Sequence, residues 1–187
     1  VSVLGCRLTK KALITFILII STTLIFITIF GEMGFTMKGF EIKLEMKPYK
    51  QGFTEIVVPP IGAIKAETHK TPLKIIITLI SIDIDFLKTL IEEQFNHELI
   101  AKKFEIELKR IVSIFVARML LISALGGAFA GLLLHKKLFI DYLKNAIVGL
   151  AMAGLLIAGT VYIYDINQFS NPQYKGIIKA APWMISF

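Results

Sequence analysis

Nineteen consecutive residues, ALITFILIISTTLIFITIF from Ala12 to Phe30, carry no charge. At 1.5 Å per residue they make a helix about 28 Å long, close to the thickness of a bilayer's hydrocarbon core. A cleaved signal peptide would have a shorter apolar core and a small-x-small exit. GEMGF follows here, so the run reads as an uncleaved anchor. Two more runs share its character. IVSIFVARMLLISALGGAFAGLLL covers Ile111 to Leu134, and AIVGLAMAGLLIAGTVYIY covers Ala146 to Tyr164. Tyr162 and Tyr164, at the far end of the third run, suit an interfacial aromatic belt. Mean hydropathy is +0.71 and 55% of the residues are hydrophobic, an average that ordinary soluble domains rarely reach. At 187 residues the chain is too short for a large transporter and suits a few helices plus one small domain.

The formal charge is +7, and its placement carries the topology. Arg7, Lys10 and Lys11 precede the first run; His135, Lys136, Lys137 and Lys144, opposed by Asp141, separate the second from the third. Between Gly31 and Arg110 the count is even, 12 Lys and Arg against 12 Asp and Glu. Basic residues collect in short cytoplasmic loops. The expected order is amino terminus inside, residues 31–110 outside, a basic loop inside and the tail outside the cell membrane. Nucleic-acid binding would want the bases on one folded face, so that class is set aside. The one cysteine, Cys6, allows no internal disulfide, and VLGC precedes the apolar core where a lipidation box would follow it.

Between the first two runs the period changes. In GFEIKLEMKPY, Phe40, Ile42, Leu44 and Met46 alternate with Glu41, Lys43, Glu45 and Lys47, the pattern of a half-buried strand. FTEIVV, ended by Pro59 and Pro60, gives a second strand, IGAIKAET a third, and LKIIITLI (Leu73 to Ile80) a fourth. A small antiparallel sheet with one apolar face is expected. In SIDIDFLKTLIEEQF, Ile84, Leu87, Leu90, Ile91 and Phe95 recur at helical spacing; Ser81 or Asp83 would cap that helix, which would cover the sheet. From Ala101 a second amphipathic helix, with Phe104, Leu108, Val112 and Phe115 in one row, would run unbroken into the second apolar segment.

Few residues invite chemistry. Arg118 is a charge inside a span, hence a candidate contact for an anionic lipid or substrate. Seventeen residues separate it from Lys136, about 25 Å of helix, so the plainer reading is an interfacial side chain that snorkels. His69 has no second histidine in reach for a zinc site and reads as a turn residue bonded to nearby backbone. There is no nucleophile elbow, phosphate-binding glycine loop or CxxC, so no catalytic, cofactor or metal residue is assigned. The small residues say more. Ser123, Gly127 and Gly131 form one row at i, i+4; Gly149 and Ala153, then Gly154 and Ala158, form others. Such rows let helix backbones approach closely. The second and third spans are expected to pack as a tight hairpin, with the first packed more loosely.

The order of features resembles a known family. An anchor, then EIVVPPIGAIKAETHKTPLKIIITLISIDIDFLKTLIEE, then two spans and YKGIIKAAPW, is similar to the membrane-side half of bacterial metallophosphoesterases of the calcineurin-like superfamily. Pro59, Pro60, Gly62, Thr68, His69, Pro72 and Leu73 carry the likeness, with Tyr174, Gly176, Ala181 and Pro182 in the tail. The resemblance implies a later catalytic domain holding two divalent metals on Asp-x-His, Gly-Asp-x-x-Asp and Gly-Asn-His-Asp/Glu motifs. None of these occurs here, so no catalytic residue carries over; the chain reads as anchor and outer domain without the enzyme.

The expected architecture is therefore a membrane α-helical protein of three transmembrane helices with a small α+β extracytoplasmic domain of antiparallel strands and one or two helices. The divisions are 1–11 cytoplasmic, 12–30 first span, 31–103 outer domain, 104–134 amphipathic helix and second span, 135–145 basic loop, 146–164 third span and 165–187 outer tail. The expected partners are the lipid bilayer and a following metallophosphoesterase domain. A structural or assembly subunit packing through the second and third helices, and a small transporter component using Arg118, are the rival classes.

Overall fold

Long apolar stretches without proline give three long helices, and the alternating segments between them give strands. The computed structural model describes residues 2–37, 39–83, 97–134 and 138–176. The helices are α1 (Ser2–Phe30), α2 (His97–Leu133) and α3 (Phe139–Ile163). Each contains a segment long and apolar enough to cross a membrane: Lys11–Phe30, Phe104–Leu133 and Phe139–Ile163. Most of that apolar surface is not covered by the chain itself. Leu121 is 65% exposed, Leu155 76% and Val161 71%. Apolar surface on this scale calls for a nonpolar surrounding or a partner.

Contacts divide the chain into two compact units. One comprises Val1–Gly31 with Ala117–Gly159; the other comprises Glu32–Val116 with Thr160–Phe187. The first is helical. Its interior is formed by Ile19 and Ile27 of α1, Met119, Ile122 and Ala130 of α2, and Ala153 and Ile157 of α3, among which Thr22, Thr23, Ser123 and Asn145 are also buried.

The second unit is built on a six-stranded sheet: β1 (Glu32–Met37), β2 (Phe40–Pro48), β3 (Phe53–Val58), β4 (Gly62–Ala66), β5 (Leu73–Ile82) and β6 (Gln173–Gly176). Their spatial order is β1-β2-β5-β3-β4-β6. Four pairings are antiparallel, but β3 and β5 are parallel, with Thr54 opposite Ile75 and Ile56 opposite Ile77. The sheet is therefore mixed, which corrects the expectation of antiparallel strands. The reason is connectivity. The fourteen residues 59–72 form the β3–β4 hairpin and then return past β3, so β5 enters beside it in the same direction. A parallel connection needs about a dozen residues, and this one has them.

Two strands were not foreseen. β1 pairs with β2 along its full length, Glu32 opposite Glu45 through Met37 opposite Phe40, and β6 comes from the tail and pairs with β4. The four expected strands are present; the last runs on to Ile82 and includes Ser81, whose hydroxyl donates to Glu41. Ser81 is thus a strand residue, its side chain bonded within the sheet. The expected helix from Ile84 to Phe95 lies outside the described residues. A β-bulge between Glu41 and Ile42 sets Glu41 opposite Ser81 and Ile42 opposite Leu79.

Leu44 and Met46 are buried as the alternation requires, but Glu45 between them is buried too, at 9% exposure. Lys43 and Lys47 approach its two carboxylate oxygens at 2.7 and 2.8 Å, and these charge-assisted bonds hold its carboxyl below the usual carboxylate range.

The helices also depart from expectation. α2 is one uninterrupted helix of 37 residues, as the sequence suggests, but the expected row Phe104, Leu108, Val112 and Phe115 does not face inward as a set. Phe115 is buried; Leu108 and Val112 are exposed, and the buried line is Ile111, Phe115, Met119 and Ile122. α3 begins at Phe139, so residues 139–145 are helical where a loop over 135–145 was expected. Asp141 in the first turn suits the positive end of the helix dipole there.

Candidate functional site

The six residues between β4 and β5, Glu67 to Pro72, form a turn that buries two polar side chains. Thr68 and His69 are 1% and 3% exposed, and Thr54 of β3 beneath them is 1% exposed. His69 Nε2 lies 3.0 Å from the Leu73 carbonyl oxygen, which can only accept, so Nε2 carries the proton. Nδ1 is then the acceptor and takes the Thr68 hydroxyl proton at 2.9 Å. Thr68 Oγ1, having donated, accepts from Thr54 Oγ1 at 2.8 Å. The order Thr54 to Thr68 to His69 to Leu73 is a single-direction chain of hydrogen bonds. Burial pushes the imidazole below its ordinary pKa, the Leu73 bond opposing weakly, so the neutral ring is the resting form.

The end of α3 and the segment after it fasten to this turn. Thr160 Oγ1 meets Thr71 Oγ1 at 2.6 Å, and the Asp165 amide donates to the Thr68 carbonyl at 2.8 Å. The Tyr164 ring stacks on His69, centroids 6.3 Å apart at 20°. Asp165 then caps a short 3-10 helix, Ile166–Ser170, by accepting from the Asn167 amide, and β6 follows. Gly52 permits the close approach of the turn. A Cβ there would collide with the His69 carbonyl oxygen and would lie 2.5 Å from that of Thr71. Gly62, at φ +147°, and Gly176, at φ +84°, pair where β4 meets β6, and a side chain at Gly62 would strike the Lys175 carbonyl.

His69 thus has both nitrogens occupied by protein. It has no lone pair for a metal and no free proton acceptor, and it is the backbone-bonded turn residue that the sequence suggests. Among the described residues no group of three or more His, Cys, Asp or Glu could hold a metal ion. The residues that sequence reading missed are Thr54, Thr68 and Tyr164 as partners of the histidine. Their signal was weak: a threonine in a strand and a tyrosine after a span each have commoner explanations.

In the helical unit the small residues sit at close approaches. A Cβ at Gly127 would strike the Asn145 carbonyl oxygen of α3, one at Gly131 would lie 2.9 Å from the Tyr142 ring, and one at Gly149 would lie 2.6 Å from the Ser123 carbonyl oxygen. Ser123 itself is fully buried, donating to the Met119 carbonyl at 2.7 Å, and Ala153 is 1% exposed. The Gly154–Ala158 row is different: a Cβ on Gly154 would meet only Leu120, at 3.9 Å, and Ala158 is exposed. The first helix also makes a close approach to α2. A Cβ at Gly126 would lie 2.8 Å from Thr23 Cα and 3.1 Å from the Thr22 carbonyl oxygen. The Thr22 hydroxyl bonds back to Leu18 and Ile19 carbonyls, so a polar side chain is accommodated on the contact face without a partner helix. Phe26 and Phe129 add a tilted aromatic pair at 5.4 Å. Arg118, the candidate anion contact, is half-buried on α2. Comparison with family models, with characterised proteins and with solved structures gives no match.

Proposed function

We propose that this chain is a three-span membrane anchor whose sheet domain stands on the outer face and holds a metallophosphoesterase-like hydrolase there. The pairing of β4 with β6 is the observation that carries the topology. Gly62 opposes Gly176 and Ile64 opposes Tyr174, yet α2 and α3 lie between these strands in sequence. Two strands of one sheet share a compartment, so the helices between them must cross an even number of times. Two crossings satisfy this, and a crossing by α1 then sets the amino terminus on the opposite side. β1 follows α1 after Gly31 alone, so the sheet is tethered at both ends.

Charge supplies the direction. Arg7, Lys10, Lys11, Lys136, Lys137 and Lys144 all fall at the two segments that this topology leaves together, and the positive-inside rule puts them in the cytoplasm. The resemblance in PPIG, THKTP and YKGIIKAAPW supports the hydrolase, whose two metals would belong to a catalytic region distinct from the residues here. The close approaches at Gly127 and Gly149 are made within the chain, which weighs against those rows serving as an assembly face for another subunit. The test is to purify the natural gene product from its own membranes and assay bis(p-nitrophenyl) phosphate hydrolysis with manganese. Activity that copurifies with the chain and is lost with a chelator is expected. A native product without such activity, alone or copurifying, overturns the hydrolase reading.

A further inference from the structure

Within the helical unit, a groove of about 420 Å³ opens between the amino-terminal half of α1 and the start of α3. That volume is in the range of sites for small ligands, about 300–1,000 Å³. Its polarity is graded along the helix axis. Lys11 stands at the mouth, Phe16 lies over one turn deeper, and Ile19 about 12 Å from Lys11 along α1. α3 contributes Asn145 and, one turn on, Val148, and both line the deeper half, because Gly149 of α3 lies against Thr23 of α1. A cation at one end and apolar walls at the other describe an amphiphile with a negative head. The surrounding charge agrees: Arg7 and Lys10 precede Lys11 in α1, and Lys144 precedes Asn145 in α3, with Asp141 the one acid on that first part of α3.

Asn145 sharpens the site. It is 7% exposed, and its amide nitrogen has no hydrogen-bond partner. A buried polar side chain here fixes the groove's floor at the place where α3 meets Gly127 and Gly131 of α2.

We infer that this groove binds one anionic glycerophospholipid, the phosphate at Lys11 and an acyl chain along Phe16, Ile19 and Val148. The inference rests on the reading that these helices cross a bilayer, in the leaflet where the basic segments lie. It predicts selectivity that a bare apolar helix surface would not give. One lysine near an anionic headgroup is worth about a fivefold preference. Ala12, exposed on the rim, offers a way to close the groove without disturbing the interior.

The experiment uses the full chain in nanodiscs of phosphatidylcholine with one fifth phosphatidylglycerol, followed by gentle detergent extraction and native mass spectrometry of retained lipid. Wild type should keep one phosphatidylglycerol in preference to phosphatidylcholine. Lys11→Gln should lower that preference about fivefold. Ala12→Trp should abolish retention of either lipid while circular dichroism stays unchanged. Equal retention of both lipids, or retention unaltered by both substitutions, overturns the inference. A separate arm extracts native membranes at alkaline pH. Release of the chain into the soluble fraction would refute the spanning reading itself; retention there together with unselective lipid binding would refute the site alone.

Discussion

Replacing Thr68 by valine tests the directional hydrogen-bond chain at the sheet. The two side chains are nearly isosteric, so no cavity forms and the effect isolates the hydroxyl. Two bonds vanish, one at 2.9 Å to His69 Nδ1 and one at 2.8 Å from Thr54. The buried imidazole nitrogen loses its only donor, a loss that costs about 1–3 kcal/mol. The Thr54 hydroxyl loses its acceptor, adding about 1 kcal/mol. The sum is about 2–4 kcal/mol, or roughly a 30- to 700-fold rise in the opening equilibrium at 1.4 kcal/mol per tenfold. Thr54→Val removes only the outer donor, and the Thr68–His69 bond survives, so about 1 kcal/mol is expected. Amide exchange of β4 and β5 in the full detergent-solubilised chain, read by mass spectrometry, reports both. The expected order is Thr68→Val well above Thr54→Val above wild type. Equal effects, or Thr68→Val exchange within threefold of wild type, would refute the argument that the chain runs from Thr54 to Leu73.

Other perturbations separate the remaining contributions. His69 is neutral in the fold with a pKa below 6.5, so the unfolded chain takes up its proton first; sheet stability should be full above pH 6.5 and fall as the pH drops below it, and His69→Gln should flatten that slope in amide exchange. Glu45, with a pKa lowered beneath 4.5 by its lysine bonds, contributes above pH 4.5 and is lost at lower pH, so Glu45→Gln should remove a second, more acidic decline. Gly127→Val should lower the thermal midpoint of the helical unit strongly, because overpacking costs about 1–3 kcal/mol or more, whereas Gly154→Val, whose Cβ meets only Leu120 at ordinary contact distance, should leave it near wild type. Lys175→Ala breaks an exposed 2.8 Å pair with Glu55 and should shift sheet exchange by no more than about 0.5 kcal/mol.

The helices were legible because lipid-like composition and length leave little choice: apolar runs of this size, with Arg118 the one charge among them, form helices whatever surrounds them. Four of the six strands were legible through local signals such as the alternation in FEIKLEMK and the proline stop after FTEIVV, whereas β1 and β6 were not. Strand partners were not. The parallel β3–β5 pairing follows from where the 59–72 connection returns, and alternation is blind to direction. β6 is four residues long, too short for a period, and its partner lies more than one hundred residues earlier, so nothing local announces it. The glycine rows illustrate the same limit. Spacing identifies Gly127 and Gly149 as contact residues, but not that Gly126 faces Thr22 and Thr23 of α1, because an i, i+4 row names a face and not its neighbour. For His69 the sequence supplied its role as a backbone-bonded turn residue, while Thr54, Thr68 and Tyr164 come together only through the tertiary fold.

The proposed topology puts β4 and β6 in one compartment, on the far side of a bilayer from the basic segments. Single cysteines at Gln51, Asn171 and Lys144, each in a Cys6→Ser background and probed with a membrane-impermeant maleimide on intact cells, test this directly. Labelling at Gln51→Cys and Asn171→Cys with protection at Lys144→Cys is predicted. Labelling of Lys144→Cys with protection of the other two would reverse the orientation, and labelling of only one of Gln51→Cys and Asn171→Cys would contradict the shared sheet.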